Sequence, residues 1–475
     1  MAGYFSKYNS ICQKDHKERN ELEISLTNCK YRGEGNAAVA IALLKEKKVL
    51  RLLKSEKNEK ESMKREVSDK LRRYVEFVHT VMKPLLSPAF LHCPNLVNLS
   101  VEDVRTLNKI MEGQRPDYRV WKLVPEAPTS AIVLQDYCTF PCTFPNLPTE
   151  GPVIGIEIKA KQGFLPPLEI LPKDQKIKAS ICRFCLLQHY KVKKGTKPSI
   201  SQYCPLDLFS GCPHRMKVAI QNLFKTPQNN LRIVRDQEIV YSREKKGSLR
   251  TVFCDFFHNS ENEIDSFALL IIQALLKVFP GAITSNGLLP AIKPCHQFCV
   301  KSSKLCSTEC AASHVLPDGC VLHRILQVQQ LDTTDIANLY PQFKALKDQL
   351  NNGDSCLEKL LLVLAIHRGL GKTERQSWET ESSFISRKIW EFLLSLTAKD
   401  CSIMVVMQRL KERTAHIPDE NVLLDNNGRP YLFSLGLVDL DYKQLSKIES
   451  AYYNDCQAIQ ILQKRSNDTV PHKYC

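Results

Sequence analysis

The chain has 475 residues, of which 43% are hydrophobic and 25% charged. That is ordinary for a soluble globular protein, and long enough for two to four packed units or one large bilobal one. With 18 glycines and 25 prolines, collagen-like and low-complexity readings are excluded. Lys and Arg outnumber Asp and Glu by 66 to 51, a formal charge of +15 without a basic tail. A folded surface should therefore be strongly positive and favour a polyanion: nucleic acid, an acidic membrane or a multiply phosphorylated small molecule.

In chain order, residues 1–30 are polar and of mixed charge, with no signal-peptide core; a flexible leader is expected. The apolar runs at 37–44 and 360–366 are far shorter than the ~20 residues of a membrane span. The chain is therefore expected in the cytosol, the nucleus or both, with most of its 19 cysteines serving as small buried apolar residues. Two strand-like runs follow, Tyr31 to Leu44 and Lys47 to Lys54, and Gly33 and Gly35 punctuate the first. Val67, Leu71, Tyr74, Val75, Val78 and Met82 make a helical stripe that should stop at Pro84. Ser130 to Phe140 reads as a strand ending at Gln135-Asp136, and Gly151 to Phe164 as another. Residues 181–225 read as mainly helical, interrupted by YCPLDLFSG. Helices are expected again at 266–278 and 325–396, and late strands at 397–407 and 431–441.

Three patterns carry chemistry. In YRGEGNAA, a glycine turn between strands lets backbone amides approach a phosphate, although a plain hairpin turn has the same spacing. Glu157, Lys159 and Lys161 recur with period two, so they share one strand face. Either that strand is an exposed edge or the three charges line a cleft. Asp400, and the pair Asp439 and Asp441, interrupt strongly apolar strands. Carboxylates in such places meet a metal, a cation or a substrate proton, unless they are simply turn residues at strand ends. Phosphoryl transfer needs this division of labour: one carboxylate takes the hydroxyl proton and another holds Mg²⁺.

EIKAKQGF, RFCLLQHYK, YCPLDLFSG, TPQNNLR, TAKDCSIM and VDLDYK occur in that order after an RGEGN turn. Together they resemble the inositol-pentakisphosphate 2-kinase family over about Tyr31 to Tyr453. The resemblance implies an α+β, bilobal, distant protein-kinase-like fold. Its N-lobe would span 31–135 and its C-lobe 136–475, with an inositide-binding region near 165–260 and a cysteine-rich insert near 281–320. It implies ATP and inositol pentakisphosphate as ligands, with Mg²⁺. Gly33, Glu34, Gly35, Asn36, Arg51, Asp136, Tyr137 and Glu157 would contact nucleotide. Asp400 would be the base and Lys159 the lysine on the transferred phosphate, while Asp439 and Asp441 would hold metal. Arg119, Lys161, Arg183, Lys191, Arg232, Lys443 and Lys447 would hold substrate phosphates.

The chain departs from the family pattern in places. Ala160 replaces a proline, Leu187 stands where a histidine can contact substrate, Lys447 replaces an arginine, and Ala451 stands where a tyrosine is expected, with Tyr452 next. A kinase for a less phosphorylated inositide is therefore one alternative. A basic scaffold or nucleic-acid-binding protein with a cysteine knuckle is another, though the cation runs are short and poor in aromatics, so nucleic acid is not the expected partner. An ordinary protein kinase would show HRD and DFG segments, which are absent. Cys295, His296, Cys299, Cys306, Cys310, His314, Cys320 and His323 cluster in sequence, but without a C-x2-C pair and at no standard finger spacing. Structural zinc is not expected there, and a monomer is.

Overall fold

The computed structural model describes residues 26–468 apart from 36, 57–61, 128, 142–146, 258–261, 284–288, 290, 293–314, 350–369 and 414–415. Most of the expected leader, and most of the 295–323 cysteine and histidine cluster, thus lie outside the described residues. The chain is α+β and divides into two compact units, residues 1–79 with 93–136, and residues 80–92 with 137–475.

The first unit is built on five antiparallel strands: β1 (Cys29–Glu34), β2 (Ala38–Leu43), β3 (Lys48–Leu53), β4 (Asn95–Leu99) and β5 (Thr129–Gln135), in the order β1-β2-β3-β5-β4. The run Tyr31 to Leu44 is thus a hairpin rather than one strand. The chain turns between Glu34 and Ala38, where the Gly35 N–H donates to the Ala38 carbonyl at 2.8 Å, and a register shift between Tyr31 and Gly33, with Gly33 at φ 145°, puts a bulge in β1. Helix α1 (Ser62–Phe77) follows, and α2 (Val101–Met111) starts from a capping box between Ser100 and Asp103. Val104, Leu107 and Met111 of α2 pack at helical spacing onto Val39, Ile41, Leu50, Val97 and Val133. The helical path does not stop at Pro84. After Phe77 it continues as a π turn, Val78–Met82, and a short helix, Lys83–Leu86. Pro84 sits in the first turn of that helix, where no N–H is needed.

The second unit carries a six-stranded antiparallel sheet. Its strands are β6 (Thr149–Lys159), β7 (Leu231–Arg235), β8 (Glu238–Tyr241), β9 (Ser402–Leu410), β10 (Val422–Leu424) and β11 (Pro430–Val438), in the order β8-β7-β6-β9-β11-β10. β6 is therefore an interior strand, which removes the edge-strand reading of Glu157 and Lys159. Ile154, Ile156 and Ile158 on its other face are fully buried. Around the sheet lie α3 (Arg183–Lys193), α4 (Pro205–Leu208), α5 (Pro213–Lys225), α6 (Leu249–Phe257), α7 (Glu263–Leu276), α8 (Val321–Gln329), α9 (Asp335–Gln349), α10 (Glu381–Ala398) and α11 (Ser446–Asp468). The PLDL segment, read as an interruption, is itself the short helix α4, because Pro205 pre-sets its first turn. Among the described residues, no helix is long and apolar enough to cross a membrane.

Two glycines of the second unit mark close approaches. A Cβ on Gly163 would lie 2.3 Å from the Phe209 ring, and one on Gly436 would lie 2.0 Å from Tyr137. The QGF and DLF segments are thus pressed together, as are β11 and the segment after Asp136.

Candidate active site

The site grows from the register of β6 and β9. Lys159 pairs with Ser402, Ser402 with Val438, and Glu157 with Arg232 of β7. This brings five polar side chains to one end of the sheet. Lys159 Nζ donates to Ser402 Oγ at 2.9 Å and to Asp439 at 2.5 Å, and lies 3.7 Å from Glu157. Ser402 Oγ donates to Glu157 at 2.9 Å, and Arg232 reaches Glu157 at 3.4 Å. Burial opposes the charge on Lys159, but Asp439 and Glu157 outweigh it and hold the ammonium well above the ordinary lysine value.

Asp400 and Asp439 do not interrupt strands, as the sequence suggested. Asp400 lies two residues before β9 and Asp439 directly after β11, at the same end of two paired strands. Neither is buried, their side chains being 53% and 47% exposed. Lys161 also lies beyond its strand. Asp439 and Lys161 both have φ 62°, a left-handed conformation that a non-glycine residue holds only when its surroundings insist. The bend at Lys161 carries it away from Glu157 and onto Asp400, which it meets at 3.0 Å; Lys443 meets the other carboxylate oxygen at 3.0 Å. Desolvation pushes the Asp400 carboxyl up, but Lys161 and Lys443 overcome it and hold it far below the usual carboxylate range.

A wall of cations continues from there. Lys191 on α3 feels desolvation and the charges of Lys161 and Arg183, which together lower its pKa. Lys197 is pushed down to about 8 by desolvation, then by Arg243, Lys191 and Lys161, and its Nζ donates to Asn229 at 2.8 Å. Arg183 opens α3 and is held by Asp455 of α11 at 2.8 Å, and Asp455 also takes Lys178 at 3.0 Å. Lys197 and Arg243 escaped the sequence reading because each sits in a lysine- or arginine-bearing loop that reads as solvated surface. Lys447 is exposed on the first turn of α11, apart from this network. Tyr452, next to Ala451, stacks on Tyr340 with ring centroids 4.2 Å apart.

Gln329 also escaped notice. Fully buried at the end of α8, it donates to the Lys161 carbonyl at 2.8 Å and the Ala398 carbonyl at 3.3 Å, and accepts from Gly163 N at 2.8 Å. One side chain thereby ties the turn carrying Lys161 to the helix end that leads into Asp400.

In the first unit, the glycine turn is locked by charge. Glu34 is buried and accepts from Arg115 at 2.8 and 2.9 Å and from Lys54, so its carboxylate faces into the unit. Burial pushes that carboxyl up, and the bonds from Arg115 and Lys54 overcome it. Arg119 donates to the Glu34 carbonyl at 2.9 Å, so it belongs to this turn. Gly35 N donates to the Ala38 carbonyl at 2.8 Å, and Asn36 lies outside the described residues. Arg51 packs over the Tyr74 ring, and Asp136 takes Arg32. In the second unit, Tyr137 OH lies 2.8 Å from His92 Nδ1.

Asp439, Glu157 and Ser402 offer hard oxygen donors of the kind a divalent cation could take, with the Lys159 ammonium now bonded to Asp439 and Ser402 among them. The Asp441 carbonyl accepts from Thr397, 3.4 Å away.

The chain is 29% identical to an inositol-pentakisphosphate 2-kinase of Danio rerio over 90% of this chain and 92% of that one. It is 26% identical to that of Arabidopsis thaliana over 92% and 93%, and 30% identical to that of Oryza sativa subsp. indica over 74% and 69%. A model of the inositol-pentakisphosphate 2-kinase family matches residues 31–457, a span that takes in both the glycine turn and the Asp400–Lys161–Lys443 group. The chain belongs to the inositol-pentakisphosphate 2-kinase family.

Proposed function

We propose that this protein transfers the γ-phosphoryl group of ATP to the 2-hydroxyl of inositol pentakisphosphate, giving inositol hexakisphosphate. The observation that carries the reading is the carboxylate of Asp400 held between two ammonium groups, beside a lysine bound to a second carboxylate. Five phosphates bring about −8 to −10 of charge. Lys161, Arg183, Lys191, Lys197, Arg232, Arg243 and Lys443 oppose that charge in sign, with Asp400, Asp455 and Glu157 offsetting part of their own.

Asp400 acts as the base. Its affinity for a proton is low while Lys161 and Lys443 hold it. Substrate phosphates compete for those two lysines, loosening their grip and raising the basicity of the carboxylate as the hydroxyl arrives. Lys159 steadies the phosphoryl group in transit. Asp439 and Asp441 would hold Mg²⁺, which would supply positive charge to neutralise the nucleotide phosphates. In the first unit the nucleotide assignment falls on the Gly33, Glu34 and Gly35 turn, whose Glu34 side chain is turned inward, with Arg51 and Asp136; in the second unit it falls on Tyr137 and Glu157. The two units correspond to the N- and C-lobes of a distant protein-kinase-like fold, and a reducing compartment, cytosol or nucleus, is its setting. Incubation with labelled ATP and a panel of inositol phosphates tests the reading. Label should enter the pentakisphosphate that has a free 2-hydroxyl; transfer only to less phosphorylated inositides, or none, refutes it.

A further inference from the structure

Behind the cation wall lies a second cluster, with different chemistry. Cys182 caps the N-terminus of α3, Cys185 follows one turn later, and Cys204 precedes α4. All three are buried, at 0%, 4% and 2% exposure. Their sulfurs lie within 4.8 Å of one another. Cys182-Arg-Phe-Cys185 is a C-x2-C pair, the spacing missing from the 295–323 cluster. The Cys185 N–H points at Cys182 Sγ at 3.4 Å, the kind of amide-to-sulfur contact that stabilises a thiolate. Two sulfurs each about 2.3 Å from a tetrahedral zinc lie about 3.8 Å apart. The Cys182 and Cys204 sulfurs are 3.8 Å apart.

We propose that Cys182, Cys185 and Cys204 form a thiolate site for one zinc-class cation that braces the substrate wall from behind. On binding, the three thiols release their protons to solvent and the metal takes three sulfur donors. Among the described residues, no fourth donor shares that 4.8 Å cluster, so an oxygen or nitrogen ligand from outside it completes the tetrahedron. The positive N-terminal end of α3 and the nearby cations favour the net negative charge of the three-thiolate site. Its structural effect follows from the neighbours. Cys182 directly precedes Arg183. Tyr203, next to Cys204, accepts from Cys185 Sγ through its carbonyl at 3.9 Å and donates its hydroxyl to the Ala160 carbonyl at 2.7 Å. The site would therefore couple α3, with Arg183 and Lys191, to the strand end that carries Lys159 and Lys161. The site is separate from the 295–323 cluster, where structural zinc is not expected. It does not depend on the phosphotransfer reading, because metal content is measured whether or not the protein turns over.

The test uses the full chain, purified by gel filtration through a weak chelator. About one zinc per chain is expected, with three sulfur neighbours at about 2.3 Å by zinc-edge X-ray absorption. Cys185→Ser should reduce the zinc content at least tenfold, Cys204→His should retain it, and Cys93→Ser should leave it unchanged. The X-ray measurement on the unaltered chain decides the matter even if a variant does not fold. The proposal is overturned if the chain carries no zinc and takes none up on titration. It is overturned equally by fewer than three sulfur neighbours, by zinc that persists undiminished in Cys185→Ser, or by a Cys182–Cys204 disulfide found by peptide mass analysis.

Discussion

Replacing Asp400 with asparagine keeps the shape of the side chain and removes its charge and basicity. General-base catalysis contributes about 10²–10⁴ in rate. At about 1.36 kcal/mol per decade, the loss corresponds to about 3–5 kcal/mol of transition-state stabilisation. Binding should move the other way. Asp400 now neutralises part of the charge of Lys161 and Lys443, each 3.0 Å away. Without it both ammonium groups are free for substrate phosphate, so the pentakisphosphate should bind as tightly or more tightly. The fold should hardly notice. The side chain is half exposed, and solvent screening reduces such pairs to about 0–1 kcal/mol. The pH dependence agrees in sign. A carboxyl depressed in the folded state stabilises the protein above its unfolded pKa of about 4, and that contribution is lost as pH falls towards the folded value. The stability curves of the two proteins should therefore run parallel above about pH 5 and converge only in acid. Titration calorimetry with the pentakisphosphate, steady-state turnover and thermal melts measure the three quantities. Turnover above a tenth of the parent value, or binding weakened in step with turnover, would remove Asp400 from the role of base.

Lys159→Ala should lower turnover and weaken pentakisphosphate binding together, because Lys159 is the cation between Ser402, Glu157 and Asp439; unchanged kcat and KM would contradict this. Lys197→Ala should raise the pentakisphosphate KM several-fold with little change in kcat. In the parent, KM should climb as pH rises through about 8 and Lys197 loses its proton, a rise that the variant should lack. A pH–KM profile that is the same in both proteins would exclude Lys197 from the substrate wall. Gln329→Leu leaves the Lys161 carbonyl and the Gly163 amide without their buried partner, at about 1–3 kcal/mol each. It should lower the melting temperature by several degrees and, well below that temperature, reduce kcat. A variant that melts lower with unaltered kcat would make Gln329 a purely structural residue.

Much was legible along the chain. Period-two alternation set Ile156 and Ile158 against Glu157 and Lys159, and a glycine turn, a helical stripe and the order of the motifs gave the α+β class and the family. Those signals are local, so they say which residues share a face and not what that face meets. Only the tertiary structure decided that β6 is interior, that Asp400 and Asp439 stand at the ends of paired strands, and that Lys161 bends away from Glu157 to reach Asp400. Gln329, Asp455 and Cys204 act on partners far away in sequence, and the sulfur cluster joins a helix cap to a separate loop. Such pairings are set by strand order and backbone bends, through long-range packing that no short window of residues records.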